Sequence, residues 1–362
     1  MPDDRISMKE SVRMPNLPNQ QTVEISQRDG NVTTTRPQPA APPEAGYVAG
    51  VDIGGTNLRL ALADRSGAIA AKWSSSTAGV RGADAVVSLI CDGVELVLQQ
   101  ASIPRESLQA IAVGVPGVTD VEEGRVIATS YLLGWRDVPM AAMLEAALKI
   151  PSAVDNDVNL AAVGESWAGA TKGARDFIFV AIGTGIGAGI VLNHSLFHGA
   201  GWAAGEIGYM LVPGTPNAPR KRDEPGALES MIGGEGIRAE WQKIWTSDKT
   251  TLPREMVASE IFDAALAGDA LAQTILQQSA RMLSHAIYNM SLVLNCPLFV
   301  LGGGVGLHPA LCSATRAMLQ QWAVRGRPEL IPSELGPDAQ LMGALRLALD
   351  TAELNSPTVA AK

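Results

Sequence analysis

This chain of 362 residues contains few aromatic residues and few cysteines. Phe, Trp and Tyr make up only 4% of the sequence, so no row of aromatic side chains is available on which nucleic-acid bases could stack. The three cysteines, Cys91, Cys296 and Cys312, are odd in number and widely spaced, which argues against a disulfide framework. A reducing compartment is therefore expected, and we predict a cytoplasmic protein.

Basic residues and long apolar runs are also scarce. The 28 Lys and Arg residues are outnumbered by 37 Asp and Glu residues, and the net charge of -9 argues against nucleic acid as the main partner. The longest uncharged stretch begins at Phe177 and continues past Leu192, but its glycines and strand-forming residues argue against a transmembrane helix. With 46% hydrophobic and 18% charged residues, the composition is typical of a globular protein that does not insert into membranes.

The first 46 residues differ in composition from the rest. They are rich in Pro, Asn, Gln, Thr and Arg, and they contain neither the apolar core of a signal peptide nor a helix-turn-helix pattern. We predict a disordered tail over residues 1–46, a smaller α/β lobe over 47–155 and a larger α/β lobe over 156–362. A final helix at about 339–352 is expected to pack back on the first lobe, and the cleft between the lobes is the expected ligand site.

The segment from Asp52 to Asn57, Asp-Ile-Gly-Gly-Thr-Asn, joins two apolar runs that are predicted to be neighbouring strands. Because Gly54 and Gly55 carry no Cβ, a ligand can approach the backbone of this turn. Successive N–H groups in such a turn form an anion site, which predicts phosphate binding at Asp52, Gly54, Gly55, Thr56 and Asn57. Asp52 would hold Mg²⁺ beside the phosphates, directly or through water. An ordinary β-hairpin explains this segment equally well when it is taken alone.

Two further glycine-rich segments follow predicted strands. Gly183, Thr184 and Gly185 open a segment in which glycine at every second position leaves one face of an extended chain bare. This segment matches neither the dinucleotide-binding pattern nor the Walker A pattern, and we favour phosphate binding over a closely packed hairpin. Gly302 and Gly303 end a buried strand and suit the adenosine end of a nucleotide, although many α/β strands end in this way.

The segment from Asp155 to Asn159 lies where a strand ends and a helix begins. It has four Asp or Asn residues in five positions, whereas a helix cap needs only one. A carboxylate at such a strand end can accept a proton from a substrate hydroxyl, and an adjacent amide can bind neighbouring hydroxyls. We therefore assign function to Asn156 and Asp157, and capping or structure to Asp155 and Asn159.

Two glutamates are further candidates for substrate binding. Glu206 lies among small and apolar residues, where the vicinal hydroxyls of a sugar would satisfy its carboxylate. A surface loop that leaves Glu206 in water explains its position equally well. Glu229 is also explained by a favourable position in the first turn of a helix, and for Glu229 alone that explanation is the better one.

Together these segments resemble the ROK family, which comprises repressors, open reading frames and sugar kinases of the actin/hexokinase-like ATPase fold. The resemblance extends from Val48 to about Leu349. The matching segments are residues 52–57, 115–118, 133–135, 156–159, 183–187 and 204–208. The resemblance implies a two-lobed α/β fold, related to ribonuclease H, with a cleft between the lobes.

The resemblance also implies roles for individual residues. Asp157 would be the catalytic base of an ATP-dependent hexokinase that uses Mg²⁺, and a homodimer is expected. The residues implied to bind the sugar are Asn156, Asp157, Glu206, Tyr209 and Glu229. The residues implied to bind the phosphates of ATP are Gly54, Gly55, Thr56, Gly183, Thr184 and Gly185.

One departure from the family pattern concerns zinc. The family usually has a His after Glu-Ile-Gly and three cysteines before the second glutamate, and these four residues bind a structural zinc ion. Tyr209 replaces the His, and alignment on Glu229 puts Arg220, Arg222 and Ala227 in place of the cysteines. Because all four ligands are missing together, we predict no zinc. The family's His also contacts the sugar, so Tyr209 leaves the sugar preference open.

The expected reaction is transfer of the γ-phosphoryl group of ATP to the primary hydroxyl of a hexose, most simply glucose. Positioning and charge stabilisation dominate the catalysis of such a transfer. Two alternatives keep the same family: a non-catalytic sugar sensor or regulator, and a glucokinase that uses polyphosphate. Regulators of this family usually carry an N-terminal DNA-binding domain, for which residues 1–46 are too short and poorly patterned.

Overall fold

The computed structural model describes residues 46–129, 132, 134–219, 224–322 and 328–356. The tail predicted over residues 1–46 lies outside the described residues except for Gly46, as do Leu133, Arg220 and Arg222. The strands are β1 (Tyr47–Ile53), β2 (Asn57–Asp64), β3 (Ile69–Ser76), β4 (Leu108–Val115), β5 (Val118–Asp120), β6 (Arg125–Ala128), β7 (Arg136–Val138), β8 (Ser152–Asn156), β9 (Phe177–Ile182), β10 (Ile186–Leu192), β11 (Ser195–Leu196), β12 (Leu298–Gly302) and β13 (Glu329–Pro332). The α-helices are α1 (Ala83–Ala101), α2 (Met140–Leu148), α3 (Asp157–Ala168), α4 (Glu229–Ile232), α5 (Gly234–Ile244), α6 (Ala258–Leu266), α7 (Ala270–Leu294), α8 (Pro309–Trp322) and α9 (Ala339–Leu354).

The first sheet has the strand order β3-β2-β1-β4-β8. β1 pairs antiparallel with β2 and parallel with β4, and β4 pairs parallel with β8. Every residue of β1 is buried, because helices cover both faces of the sheet. Val51 and Ile53 pack with Ile90 of α1, whereas Val48 on the opposite face packs with Leu345 of α9.

The second sheet has the order β11-β10-β9-β12-β13. β9 pairs antiparallel with β10 and parallel with β12, as β1 does with β2 and β4 in the first sheet. One face packs on α5 to α8 through a large cluster that includes Trp241 and Phe262. On the other face, Phe177 and Phe179 pack with Ala161 and Ala162 of α3.

Helices α3 and α9 lie between the two sheets, and each packs on one of them. They cross at two glycines. A Cβ built on Gly343 would lie 1.7 Å from the Leu160 carbonyl oxygen, and one on Gly164 would lie 2.2 Å from that of Ala339. This close crossing connects α3, which begins at Asp157, with the face of the first sheet on which α9 packs. The division of the chain into lobes at residues 155 and 156 stays a prediction.

A third, small sheet has the order β5-β6-β7, and its strands are only three or four residues long. It follows β4 directly, because Pro116 and Gly117 interrupt the strand and Gly117 has a φ of 114°. The carbonyl of Gly117 accepts a hydrogen bond from the Asn156 amide at 2.9 Å. The small sheet is therefore attached to the point where β8 ends and α3 begins.

Candidate active site

The junction between β8 and α3 is organised by Asn156. Its Oδ1 accepts hydrogen bonds from the backbone N–H groups of Val158 at 2.8 Å and Asn159 at 3.1 Å. The Asn156 side chain is therefore the N-cap of α3, a contribution of about 1 kcal/mol to helix stability. The sequence analysis assigned capping or structure to Asp155 and Asn159. Asp155 and Asn159 hydrogen-bond to each other, which is a structural role, and the cap itself is formed by Asn156, to which only function had been assigned.

Asp157 is the first residue of α3, and its Oδ1 accepts the N–H of Val158 at 2.9 Å. Desolvation by burial raises the pKa of Asp157 to about 7, and the negative charges of Asp52 and Glu206 contribute in the same direction. The hydrogen bond from Val158 opposes this rise. A carboxyl group with a pKa near neutrality can accept a proton from a hydroxyl group at physiological pH.

The position of Asp52 explains its influence on Asp157. Asp52 lies beside Gly114 of the neighbouring strand β4, and a Cβ built on Gly114 would lie 3.1 Å from Cδ1 of Leu160 and 3.6 Å from the Cα of Asp157, both in α3. The start of α3 therefore packs on the first sheet next to Asp52. The predicted phosphate hairpin and the predicted catalytic carboxylate consequently meet at one place.

Asp52 is buried and paired with Arg59. The two residues are antiparallel partners across the β1–β2 hairpin, and Arg59 donates to Asp52 Oδ2 from Nε at 3.0 Å and from Nη2 at 2.6 Å. Burial raises the pKa of Asp52, while the Arg59 cation acts to lower it. The sequence analysis missed Arg59, although the turn between Ile53 and Asn57 would have placed it opposite Asp52 by strand register.

The residues around Asp52 fit a magnesium ion that arrives with a nucleotide. Both Arg59 hydrogen bonds end on Oδ2 of Asp52. Within the described parts of the chain, no group of three or more His, Cys, Asp and Glu side chains is placed to hold a metal. Mg²⁺ is commonly bound by one or two carboxylates together with substrate phosphates and water, and a single buried carboxylate beside a glycine turn fits that pattern.

One glycine in each of the two hairpin turns, Gly55 and Gly183, is not required by the fold. A Cβ on Gly55 or on Gly183 would meet no atom within 4 Å, and neither residue has a positive φ. Gly55 is also exposed, as are Thr56 and Asn57. Since neither packing nor backbone strain calls for glycine at these two positions, the close approach of a ligand to the backbone is the remaining physical reason.

The second turn is joined to two other glycine segments. The N–H of Gly234, the first residue of α5, donates to the Gly183 carbonyl at 2.8 Å, and the N–H of Val305 donates to the Ile182 carbonyl at 2.9 Å. Gly302 pairs with Ala181 across β12 and β9. The predicted residues Gly183 to Gly185, Gly302 and Gly303 therefore lie together at the ends of two parallel strands. The start of α5 joins this group of glycines, and the sequence analysis did not predict it as part of the site. The segment Gly233-Gly234-Glu235-Gly236 is the feature of the sequence that could have indicated it.

A cleft lies at the start of α3, where Asn156 and Val158, the chain neighbours of Asp157, both line it. Asn156 and Glu206 line it, as predicted for sugar-binding residues, together with Trp202 and Asn159. Glu206 is held over the cleft by its neighbour: Gly205 has a φ of 93°, and its carbonyl accepts the N–H of Ala188 in β10 at 2.8 Å. The remaining lining residues are Gly117, Val158, Gly187, Ala188, Ala204 and Gly205.

The three other predicted sugar-binding residues, Asp157, Tyr209 and Glu229, are not among the residues that line this cleft. Glu229 is the first residue of α4, and its Oε2 accepts the backbone N–H of Ile186 at 2.9 Å. Tyr209 donates from its hydroxyl to the Glu224 carbonyl at 3.3 Å. Tyr209 follows Gly208 in the chain, and the Glu229 side chain packs on Gly208, two residues after Glu206. Their sugar-binding roles stay predictions.

Asp155, Asn159 and His198 form a hydrogen-bonded group next to the cleft, and the sequence analysis did not predict it as part of the site. Asp155 accepts the Asn156 N–H at 2.7 Å and the Asn159 amide at 3.0 Å on Oδ1, and its Oδ2 lies 2.9 Å from His198 Nε2. This hydrogen bond to Asp155 raises the pKa of His198. The edge of the His198 ring in turn meets Trp202, with ring centroids 5.7 Å apart. The feature of the sequence that could have indicated this group is the run of four Asp and Asn residues at 155–159, since a helix N-cap needs only one such residue.

The predicted absence of zinc concerns a loop of which only part is described. Ala227, at one of the family's cysteine positions, is buried in the described structure, whereas Arg220 and Arg222 lie outside it. The absence of zinc stays a prediction. Among the described helices, none combines the length and the apolar character that crossing a membrane requires.

Comparisons with known proteins agree with this geometry. The ROK family matches residues 48–351. A glucokinase of Halalkalibacterium halodurans is 34% identical over 266 residues, which are 72% of this chain and 80% of that protein. The solved structure of a ROK-family glucokinase from Streptomyces griseus, in complex with glucose and AMPPNP, has a TM-score of 0.71 and 25% identity, and the match covers 84% of this chain and all of that one.

A third similar protein supports the fold only, because its sequence identity is low. A ROK-family transcriptional regulator, a homologue of the E. coli MLC protein, has a TM-score of 0.73 at 22% identity, and the match covers 85% of this chain and 79% of that one. The predicted two-lobed actin/hexokinase-like fold is confirmed by these structural neighbours. With the match over residues 48–351, the chain belongs to the ROK family.

Proposed function

We propose that this ROK-family sugar kinase is an ATP-dependent hexokinase that phosphorylates the primary hydroxyl of a hexose, with glucose as the first candidate. The observation that carries the proposal is the position of Asp157. Asp157, whose carboxyl group has a pKa of about 7, stands between Asn156 and Val158, which line the cleft, and its Cα lies close to Gly114, the strand neighbour of Asp52 in the phosphate hairpin. A base between an acceptor site and a donor site is the arrangement that phosphoryl transfer needs.

Asp157 acts as the general base. In its ionised form it accepts the proton of the hexose primary hydroxyl while that oxygen attacks the γ-phosphorus of ATP in line with the leaving ADP oxygen. The Asn156 cap and the Val158 N–H hold the start of α3 in place, so the carboxylate is oriented before substrate binds. Glu206 and the Asn156 side chain, which line the cleft, hold the sugar hydroxyls.

The two glycine turns hold the phosphates. The N–H groups of Gly54 and Gly183 donate within their turns, to the carbonyls of Asn57 and Gly185, so the other N–H groups of the two turns would bind the phosphates. The start of α5 adds the positive end of a helix dipole next to Gly183. Asp52 would hold Mg²⁺, which when bound neutralises charge on the transferred phosphoryl group. Gly302 and Gly303 would lie against the adenosine part of ATP. The homodimer also remains a proposal, and light scattering of the purified protein measures it.

Glucose is proposed because two relatives matched over most of their length are named glucokinases, one of them solved with glucose. Because Tyr209 replaces a His that contacts the sugar in the family, other hexoses are tested beside glucose. The test is the release of ADP from Mg-ATP in the presence of glucose, mannose, fructose, N-acetylglucosamine and N-acetylmannosamine. Stimulation by one sugar supports the proposal and identifies the substrate. Sugar binding without ADP release favours the alternatives, and polyphosphate as the donor separates the polyphosphate-dependent kinase from a sugar sensor.

The role of Asp157 is tested with a matched control. Asp157→Ala should lower kcat by a factor of about 100 to 10,000, the usual contribution of a positioned base, while sugar binding falls much less. Asp84 is also an acidic residue in the first turn of a helix, but it lies at the exposed start of α1. Asp84→Ala should keep normal turnover. Near-normal turnover of the Asp157→Ala variant would refute the assignment.

A further inference from the structure

Trp202 has a backbone conformation that disfavours its own side chain. Its φ is 60°, in the left-handed region, where a residue other than glycine costs about 1–2 kcal/mol. The same loop uses glycine for this purpose at Gly199 and Gly205, whose φ values are 72° and 93°. A bulky aromatic residue held in this region requires a compensating reason, and such positions concentrate at ligand sites.

The Trp202 side chain lies in the candidate site. It lines the cleft together with Asn156, Asn159 and Glu206, and it is half-buried. The chain turns back at this point, because Trp202 N–H donates to the Gly199 carbonyl at 3.3 Å. The cleft therefore combines polar side chains with one aromatic ring.

His198 supports Trp202 from behind. Its ring meets the indole edge-on at an interplanar angle of 66°, with centroids 5.7 Å apart, an arrangement that aromatic rings favour. His198 Nε2 is 2.9 Å from Asp155 Oδ2, and Asp155 Oδ1 accepts the N–H of Asn156. The indole is thus connected through two side chains to the residue that caps the helix of the proposed base.

We propose that Trp202 is a substrate-contacting residue that determines hexose affinity: its indole stacks on the apolar C–H face of a pyranose ring, and His198 and Asp155 are positioning residues that hold it there. This inference rests on the proposed function, since it assigns a second wall to the same sugar site. A pyranose has hydroxyl groups around its rim and C–H groups on its faces. Asn156 and Glu206 can bind the rim, but among the described side chains that line the cleft only Trp202 offers an aromatic surface for a face.

The first test replaces Trp202 with glycine, which accepts a positive φ without strain. Trp202→Gly should melt at a temperature at least as high as the wild type. Its hexose KM and its calorimetric Kd should rise about tenfold, a change that corresponds to 1.4 kcal/mol, while kcat stays within about threefold. Trp202→Phe keeps a smaller ring, so its KM should rise less. Hexose binding should change the tryptophan fluorescence of the wild type, and Trp202→Phe should lose this change.

The role of His198 is tested by asking whether the effects of two substitutions on the hexose KM are additive. His198→Ala should raise the hexose KM through the loss of support for the indole. In the double variant with Trp202→Gly, the His198→Ala change should add no further increase, because His198 then has no ring to hold. Additive increases in KM would show that His198 does not act through Trp202 and would overturn the positioning role.

A matched control is present elsewhere in the chain. His285 and Trp322 form another ring pair, with centroids 4.5 Å apart, between α7 and α8 and away from the lining of the cleft. Trp322→Phe should leave both the hexose KM and the hexose-induced fluorescence change as in the wild type. A change equal to that of Trp202→Phe would overturn the inference.

The inference and the proposed function fail in different ways. A wild-type protein that neither binds nor phosphorylates any hexose would overturn the proposed function and this inference with it. A wild-type hexokinase whose Trp202→Gly variant keeps its hexose KM and Kd would overturn this inference alone. If Trp202→Gly melts well below the wild type, the strain argument is wrong, and Trp202→Phe decides the contact by its KM and its fluorescence.

Discussion

Replacing Asp157 with asparagine should abolish turnover yet stabilise the protein at alkaline pH. The pKa of Asp157 rises from 3.8 to about 7 chiefly because burial disfavours its charged form. Between these two pKa values the folded protein binds a proton that the unfolded chain has released. The stability of the wild type should therefore fall as pH increases through this interval, and the loss should be complete above pH 7. Asparagine has no charge to bury and keeps an oxygen for the Val158 N–H.

The magnitude follows from the pKa. Each unit of pKa difference corresponds to about 1.36 kcal/mol, so the two units between pH 5 and pH 7 give about 2.7 kcal/mol. Asp157 keeps some exposure to solvent, which reduces the effect. We therefore expect the stability of Asp157→Asn relative to the wild type to increase by about 2 kcal/mol from pH 5 to pH 8.

The assay is urea unfolding of both proteins at pH 5 and pH 8, with the difference in the free energy of unfolding taken at each pH. Other titrating groups are common to the two proteins and cancel in the difference. Asp84→Asn, at the exposed start of α1, is the control and should show no comparable growth in stability with pH. If the advantage of Asp157→Asn is the same at both pH values, then Asp157 is not desolvated in the folded protein, and the argument for a base poised near neutrality fails.

Four further predictions concern activity, stability and metal content. The kcat/KM of the wild type should rise with pH and level off above an apparent pKa of about 7, because only ionised Asp157 accepts a proton; a flat profile from pH 5.5 to pH 8.5 would contradict this. Arg59→Gln removes the cation that lowers the pKa of Asp52, so that pKa should rise further and the KM for Mg-ATP should increase in initial-rate assays, while hexose binding measured by calorimetry stays the same. Glu165→Ala should destabilise the protein by about 3–5 kcal/mol in urea unfolding, because the fully buried carboxylate accepts hydrogen bonds from the Ser333 hydroxyl and three backbone N–H groups; a loss below 1 kcal/mol would show that water replaces it. Metal analysis of the purified protein should find no stoichiometric zinc, and one zinc ion per chain would contradict the reasoning from the missing ligands.

The sequence predicted the local features of the site where short-range rules suffice. A strand, two glycines and a second strand predict the β1–β2 hairpin, and the observed register follows from that turn. The start of α3 follows from the Asp and Asn residues between a predicted strand and a predicted helix. The small sheet β5-β6-β7 was missed, because strands of three or four residues are too short to show alternation.

Short-range patterns identify the residues at the ends of strands, and these make Asp52, Gly183 and Asp157 candidates for one chemistry. The desolvation of Asp157 next to Asp52 could not be predicted in this way, because it depends on α3 packing against Gly114 of a strand about forty residues earlier. The tertiary structure also brings Asp155, His198 and Trp202 together in one group at the cleft. Burial and long-range contacts set the pKa values and positions of these groups. Both arise from packing between segments far apart in the chain, which no local pattern records.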